Sequence, residues 1–209
     1  MTPLERAESF ASYHGWRLQA LHAYEGPRFW VLRMRDRDGK KQIRPMRETE
    51  EGRYELGLPE FPGGRRPLYR PDVVRACPGR PVFLVEGENC ADVLNALGSP
   101  DIAATTWHGG TGSVARVDFS PLVRRNVLLW PDNDAAGMEA MRGVKGTLKG
   151  LGCWTYMVSP DTLELPDKGD AADFMAAQLG TDKRNVTGRL IEGLSGEKKG
   201  ELIRLVEEI

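Results

Sequence analysis

Hydrophobic and polar positions follow two different patterns along the chain, and the change falls at Pro81. After a capped start at Thr2, the pattern predicts a helix to about His14. Short aromatic and β-branched runs over 16–54 are typical of antiparallel strands, and a Gly- and Pro-rich connection follows at 57–66. From Pro81 onward, short apolar strands alternate with amphipathic helices, which indicates a parallel sheet covered by helices.

The second pattern supplies most of the predicted elements. Strands are predicted at 82–85, 102–106, 126–130 and 153–158, and helices at 88–97, 134–151, 169–179 and, in two pieces, 184–208. We therefore predict an α/β fold in three parts. These are a basic N-terminal α+β lobe at 1–78, an α/β domain at 79–180 and a C-terminal helical extension at 181–209.

Composition and charge narrow the class of protein. With 40% hydrophobic and 28% charged residues among 209, the chain can bury a core and resembles neither a disordered segment nor a membrane span. It has no signal-peptide core, so we expect a cytoplasmic protein with no membrane partner. Residues 1–80 carry 16 Lys and Arg against 11 Asp and Glu, whereas 81–180 carry 7 against 13. This separation suits a polyanion held beside a metal site, and an unevenly charged surface explains it equally well.

Acidic side chains follow three of the predicted strands. They are Glu86, Asp132 with Asp134, and Asp170 with Asp173. The carboxyl ends of parallel strands meet at one edge of a sheet, where such carboxylates repel one another unless a hard cation lies between them. Mg²⁺ takes one or two carboxylates and keeps waters and substrate phosphates, so the cluster predicts magnesium and a phosphate-bearing substrate. Helix capping is the simpler explanation for each aspartate pair taken alone, but not for Glu86.

Four motifs in this order carry a family resemblance. They are Glu-Gly-Glu-Asn-Cys-Ala-Asp at 86–92, Thr-Thr-Trp-His-Gly-Gly at 105–110, Pro-Asp-Asn-Asp-Ala-Ala-Gly at 131–137 and Lys-Gly-Asp-Ala-Ala-Asp at 168–173. The chain resembles the TOPRIM domain proteins, and within them the DNA primases of phages, plasmids and other mobile elements. The resemblance covers about 81–178 and is weaker over 16–75, where such primases carry a small basic lobe. It implies a TOPRIM-type parallel sheet and makes 79–180 the catalytic domain.

The resemblance also implies roles for individual residues. Glu86 would be the general acid/base, Asp132 and Asp134 would be ligands of Mg²⁺ or, alternatively, Mn²⁺, and Asp170 or Asp173 would be a further acidic contributor. Six basic residues are candidates for binding template or triphosphate. The alternative for each of them is an ordinary surface charge without a ligand. They are Lys168, Arg44, Arg47, Arg65, Arg66 and Arg70.

The sequence departs from the pattern of these primases. Cys90 stands where bacterial primases have an aspartate, and the chain has neither a zinc-binding module nor a helicase P-loop.

Three functions are compatible with the sequence. The first function is Mg²⁺-dependent synthesis of RNA primers on single-stranded DNA from nucleoside triphosphates, with a helicase or other replication protein as partner. The alternatives are a metal-dependent nuclease and a catalytically silent domain that binds nucleic acid or docks in a replication complex.

Overall fold

The N-terminal part of the chain is an antiparallel sheet with one helix on its outer face. The structure, a computed structural model, describes the backbone of all 209 residues and every side chain except that of Thr111. Helix α1 begins with the predicted capping box between Thr2 and Glu5. The elements are α1 (Pro3–Tyr13), β1 (Arg17–Tyr24), β2 (Phe29–Arg35), β3 (Lys41–Glu48) and β4 (Tyr54–Leu56), with the strands in that order in the sheet.

The second sheet is parallel, and helices cover it. Its strands are β5 (Val82–Val85), β6 (Ala103–Thr105), β7 (Asn126–Trp130) and β8 (Trp154–Met157), in the order β6-β5-β7-β8. The helices after α1 are α2 (Pro71–Ala76), α3 (Glu88–Asn95), α4 (Ala135–Gly150), α5 (Ala171–Leu179), α6 (Gly188–Glu192) and α7 (Gly196–Glu207). The predicted α/β class, with a parallel sheet between helices and a separate antiparallel sheet, is confirmed.

The order of the parallel strands determines where a site can form. Strand β5 pairs with β6 on one side and with β7 on the other. After β5 the chain therefore forms the strand on one side first and then crosses to form the strand on the other side. Such a reversal opens a crevice at the carboxyl ends of the two strands, which is where open α/β sheets bind ligands. Glu86 follows β5 directly, and Asp132 follows β7 after one residue.

The largest hydrophobic cluster draws on all three predicted parts of the chain. Tyr24 and Phe29 of the antiparallel sheet, Phe83 and Trp130 of the parallel sheet and Leu202 of α7 all belong to this cluster. A second cluster fills the space between the parallel sheet and α4. The domain boundaries stay a prediction, but the lobe and the parallel sheet share buried apolar surface. Among the described residues, no helix is long and apolar enough to cross a membrane.

One short helix is missing from the sequence prediction. Helix α2 has only six residues and follows Arg70, whose φ of 51° lies in the left-handed region. Six residues are too few to show a helical period, so hydrophobic patterning gives no signal for an element of this length.

Candidate functional site

The loops after β5 and β7 meet directly. The Oε1 atom of Glu86 accepts a hydrogen bond of 3.1 Å from the backbone N–H of Asp132. Gly137, in the first turn of α4, packs against both loops, since a Cβ atom built on it would lie 2.6 Å from Glu86 Oε1 and 2.7 Å from the Asp132 carbonyl oxygen. The glycine of the Pro-Asp-Asn-Asp-Ala-Ala-Gly motif is therefore required by close approach of the backbone.

Asp132 has the least compensated carboxylate of this cluster. Its Oδ1 atom is buried and has no hydrogen-bond partner. Burial, followed by the charges of Glu86 and Asp170, raises the pKa of Asp132 to about 8, although Lys183 opposes this shift. Burial also raises the pKa of Glu86, as do the charges of Asp134 and Asp170, against the lowering effect of the Asp132 N–H. The structure thus gathers carboxylates whose charges are incompletely balanced by protein groups.

Asp134 lies beside this cluster and caps α4. One of its side-chain oxygens, Oδ1, accepts a 2.8 Å hydrogen bond from the N–H of Gly137. The capping role predicted as the simpler explanation is therefore present. Its charge still acts on Glu86, because it is one of the causes of the raised pKa of that residue.

Asp170 and Asp173 form a capping box at the start of α5 and both pair with the side chain of Lys183. Asp170 accepts hydrogen bonds from the N–H groups of Ala172 and Asp173, and Asp173 accepts one from the N–H of Asp170. Lys183 places its Nζ 2.8 Å from Asp170 Oδ2 and 2.5 Å from Asp173 Oδ2. Burial alone would lower the pKa of Lys183, but these two carboxylates raise it. Sequence analysis missed Lys183, because its partners precede it by ten residues or more.

Asn133 joins the loop after β7 to the loop before α5. Its N–H donates to the Gly169 carbonyl oxygen at 2.7 Å, and its carbonyl oxygen accepts from the N–H of Lys168 at 2.9 Å. Its side-chain amide donates to the carbonyl oxygens of Leu165 and Pro166. The backbone of Lys168 is thereby fixed beside Asp132, with φ of 57°, while its side chain is exposed.

A glycine-rich turn forms another wall of the site. The Thr106 hydroxyl accepts a 3.1 Å hydrogen bond from the N–H of Gly87, which sets the turn that carries Glu86. The Trp107 indole N–H donates to the Gly110 carbonyl oxygen at 2.8 Å and closes the turn after β6. The Thr-Thr-Trp-His-Gly-Gly motif therefore supports the loop of the predicted acid/base.

Two basic side chains of the antiparallel sheet share a cavity with the carboxylates. This cavity of about 290 Å³, hereafter the cleft, is lined by Glu86, Asp132 and residues 106–110, and also by Arg33 and Lys41. Sequence analysis did not select Arg33 or Lys41. The alternation of side chains along β2 could have identified Arg33, because it shares a face of the strand with the buried residues Phe29 and Val31.

The five arginines selected from the sequence do not line this cleft. Arg44 lies over the ring of Trp16, with its guanidinium carbon 5.7 Å from the ring centroid, on the α1 side of the sheet. Arg47 lies beside Glu55, and Arg70 pairs with Asp72. Arg65 is exposed, and Arg66 donates a hydrogen bond to the carbonyl oxygen of His108. Arg66 and Arg44 each donate to the backbone carbonyl oxygen of a residue that lines the cleft, His108 and Ile43 respectively. The position of an arginine in the basic lobe does not show whether it lines the cleft, because successive side chains of a strand point to opposite faces of the sheet.

The other acids of the first motif connect the parallel domain to the antiparallel sheet. Glu88 accepts a 2.9 Å hydrogen bond from the Tyr24 hydroxyl and lies 3.6 Å from His108 Nδ1. Burial would raise the pKa of Glu88, but His108 and the charge of His22 lower it. Asp92 accepts a hydrogen bond from the Tyr69 hydroxyl and is 2.8 Å from His22 Nδ1. Glu88 lines the same cavity as Glu86 and Asp132, with its carboxylate engaged by Tyr24 and His108, whereas Asp92 does not line that cavity.

Cys90 is buried beneath the carboxylates. Burial, together with the charges of Asp170 and Asp132, raises the pKa of its thiol, so it is uncharged at neutral pH. A neutral thiol therefore lies next to the acidic cluster and adds no negative charge to the electrostatic repulsion there.

A divalent cation fits the residues of the cleft. Among the side chains that the structure describes, no three His, Cys, Asp or Glu residues are arranged to hold a metal ion by themselves. Mg²⁺ needs no such arrangement, because one or two carboxylates suffice when substrate phosphates and waters complete the shell. The buried, unpartnered Oδ1 of Asp132 is a suitable oxygen ligand. Asp134 follows two residues later and is not among the residues that line the cleft.

Comparison with known proteins gives only remote structural similarity. No protein-family model matches the chain, and no curated protein sequence does. Solved structures that are similar to it include three of primases. They are the primase domains in a bacteriophage T7 lagging-strand DNA polymerase complex (13% identity, TM-score 0.43, 82% of this chain and 80% of that one), the primase fragment of the bacteriophage T7 primase-helicase protein (13%, 0.44, 85% and 68%) and the DnaG catalytic core (15%, 0.38, 85% and 56%).

Proposed function

We propose that this chain catalyses metal-dependent phosphoryl transfer of the primase type, joining nucleoside triphosphates into short RNA on single-stranded DNA. The observation that carries the proposal is the buried, unpartnered Oδ1 of Asp132 beside Glu86, in a cleft that Arg33 and Lys41 also line. Carboxylates that repel one another favour a cation, and basic side chains in the same cleft favour a polyphosphate. The four TOPRIM-type motifs support the same assignment.

The side chains of the cleft divide the chemistry among them. Glu86 is oriented by the Asp132 N–H and is only partly buried, so its carboxylate can accept the proton of an attacking hydroxyl. Asp132 and Asp134 would hold Mg²⁺, which neutralises negative charge on the transferring phosphate when bound. Arg33 and Lys41 would bind the triphosphate from the other side, with the planar guanidinium suited to bidentate phosphate contacts.

Lys183 has a different part in this proposal. It neutralises Asp170 and Asp173, which are also engaged in capping α5. Because Lys183 already pairs with these two carboxylates, whereas no ion pair among the described side chains includes Asp132 or Asp134, we assign the metal to Asp132 and Asp134 and give Asp170 and Asp173 a supporting role. The resemblance to primases leaves that choice open, and the pattern of contacts favours it.

A direct assay tests the proposal. The chain is incubated with single-stranded DNA, labelled ribonucleoside triphosphates and Mg²⁺ or Mn²⁺, and the products are separated by length. Labelled di- and oligoribonucleotides that depend on both DNA and metal are the expected result. Absence of such products with either metal, from folded protein that binds nucleotide, would contradict primer synthesis.

The nuclease alternative uses the same cleft with water in place of the hydroxyl. Glu86 could accept a proton from either nucleophile, so the carboxylates do not separate the two reactions. Arg33 and Lys41 favour nucleotidyl transfer, because a triphosphate carries more charge to neutralise than a phosphodiester. A labelled oligonucleotide in the same mixture is expected to stay intact, and its metal-dependent cleavage would support the nuclease.

A further inference from the structure

Strand β8 is the edge strand of the parallel sheet on the β7 side. The N–H groups of Trp154 and Val158 donate to backbone carbonyl oxygens on the β7 side. Because successive residues of a strand turn their backbone groups to opposite sides, the N–H and C=O groups of Thr155 and Met157 point away from β7. The edge therefore offers four hydrogen-bonding groups to a further strand.

Two large aromatic side chains are exposed on this edge strand, and we refer to them as the aromatic pair. Trp154 is 72% exposed and Tyr156 is 67% exposed. They share one face of the strand, and Tyr156 is the register partner of Leu128, which packs against the largest hydrophobic cluster. Met157 packs on the opposite face, against the cluster that includes α4. Edge strands are usually protected by charged side chains or by a covering element, whereas β8 presents the aromatic pair.

The charged groups at the two ends of β8 have opposite signs. Near its amino end, the Lys149 carbonyl oxygen accepts from the N–H of Gly152, and a Cβ built on Gly152 would lie 3.5 Å from Arg124 Cγ. Asp161 and Glu164 follow its carboxyl end. All four charged side chains are exposed, and none of the ion pairs among the described side chains includes them. Two such edges in antiparallel orientation would bring opposite charges together.

We propose that two copies of this chain associate through β8, with the two strands antiparallel about a twofold axis that passes beside Tyr156. In this register Thr155 of each copy faces Met157 of the other, and the two pairs exchange four hydrogen bonds. Tyr156 faces Tyr156 of the second copy at about 4.5 Å between Cα atoms, the spacing of a pair without backbone hydrogen bonds. The two parallel sheets then join into one sheet of eight strands.

The aromatic pair supplies most of the contact area in this dimer. Trp154 lies diagonally across from Tyr156 of the second copy, a distance that aromatic side chains can bridge. A covered Trp or Tyr buries about 150–250 Å², so the four rings together supply roughly 600–1,000 Å². Specific interfaces begin at roughly 1,200 Å², so we expect a weak, reversible dimer with a Kd of roughly 1–100 µM.

The proposed dimer leaves both clefts open. None of the described residues that line the cleft belongs to β8. Because the two edge strands are antiparallel, the carboxyl ends of the two sheets, and with them the clefts, lie at opposite ends of the joined sheet. The association is therefore independent of the proposed function.

The test is sedimentation velocity of the full chain at protein concentrations below and above the expected Kd. Tyr156→Glu places two carboxylates opposite each other across the twofold axis, where like charges destabilise a pair of strands. The matched control is Tyr13→Glu, which introduces the same charge at an exposed tyrosine of α1. Circular dichroism checks that both variants are folded.

The wild-type chain and Tyr13→Glu are expected to shift from monomer to dimer with rising concentration. Tyr156→Glu should raise the Kd of the dimer at least tenfold. A wild-type chain that stays monomeric at the highest concentration, or equal association by the wild type and Tyr156→Glu, would overturn the proposal.

A cysteine at position 156 tests the register and does not depend on the fold of the glutamate variant. A Cα separation of about 4.5 Å lies within the range that a disulfide spans, so Tyr156→Cys should form a covalent dimer with oxidised glutathione. Non-reducing electrophoresis measures this product, and the wild-type chain gives the background from its three native cysteines. A yield no higher than that background would contradict a twofold axis beside Tyr156.

Exposed aromatic side chains can also stack on the bases of a single-stranded nucleic acid. Binding of a fluorescent oligonucleotide is therefore measured for the same proteins. A monomeric wild-type chain whose oligonucleotide affinity falls in Tyr156→Glu but not in Tyr13→Glu would assign the aromatic pair to nucleic acid and overturn the dimer.

Discussion

Aspartates with the same sequence context have different surroundings in this molecule. Asp132 follows β7 and has a buried oxygen without a partner, whereas Asp170 caps α5 and is paired with Lys183. Both were selected as metal ligands because both follow strands of one sheet. The contacts of each carboxylate separate the two roles, and these contacts come from residues far apart in sequence.

Substitution at these two positions should therefore have opposite effects on stability. In metal-free protein, Asp132→Asn should leave the melting temperature unchanged or raised, because it removes a carboxylate repelled by Glu86 and Asp170. Asp170→Ala should lower the free energy of unfolding by about 2 kcal/mol, since it removes a helix cap and an ion-pair partner of Lys183. Urea denaturation measures both. A large loss of stability in Asp132→Asn would show that Asp132 is structural.

At the scale of elements, the hydrophobic pattern predicted the longer strands and helices of the parallel domain. The apolar run at 82–85 is β5, that at 126–130 is β7, and the long amphipathic stretch is α4 at 135–150. These elements have a period and flanking turn residues of their own. The short α2 and the order of strands in the sheet have no such local signal.

Helix α4 offers a matched pair of glycines to test the packing of the loop between β7 and α4. A Cβ at Gly137 would collide with Glu86 and with the backbone of Asp132, whereas nothing lies within 4 Å of a Cβ at Gly143. Gly137→Ala should destabilise the protein by about 1–3 kcal/mol and abolish turnover. Gly143→Ala should stabilise it by about 0.5–1 kcal/mol with full activity. Similar stability of the two variants in urea denaturation would refute the close packing.

At the scale of the whole molecule, residues of the antiparallel sheet and loops of the parallel sheet line the cleft together. The sequence placed Glu86, Asp132 and Asp134 correctly at strand ends, because the topology of an open parallel sheet brings these ends together. It could not supply Arg33 and Lys41, since their approach to the carboxylates depends on how one sheet packs against the other. That packing depends on contacts between residues distant in sequence, such as Tyr24 with Glu88.

The contact between Tyr24 and Glu88 tests this packing. Tyr24→Phe removes the 2.9 Å hydrogen bond to a buried carboxylate and should lower the free energy of unfolding by about 1.5–3 kcal/mol. Tyr13→Phe, at a side chain that is 86% exposed, is the control and should change nothing. Urea denaturation followed by tryptophan fluorescence measures both. Equal stability of the two variants would mean that this contact does not hold the sheets together.

The central claim is that the carboxylates between β5 and β7 carry out metal-dependent phosphoryl transfer, and turnover of Asp132→Asn tests it most directly. The measurement is the rate of DNA-dependent incorporation of labelled ribonucleotides with saturating Mg²⁺, beside Asp161→Asn as a control at an exposed aspartate outside the cleft. We predict that Asp132→Asn loses activity by roughly 100-fold or more while remaining folded, and that Asp161→Asn keeps the wild-type rate. Wild-type turnover by Asp132→Asn would contradict the account.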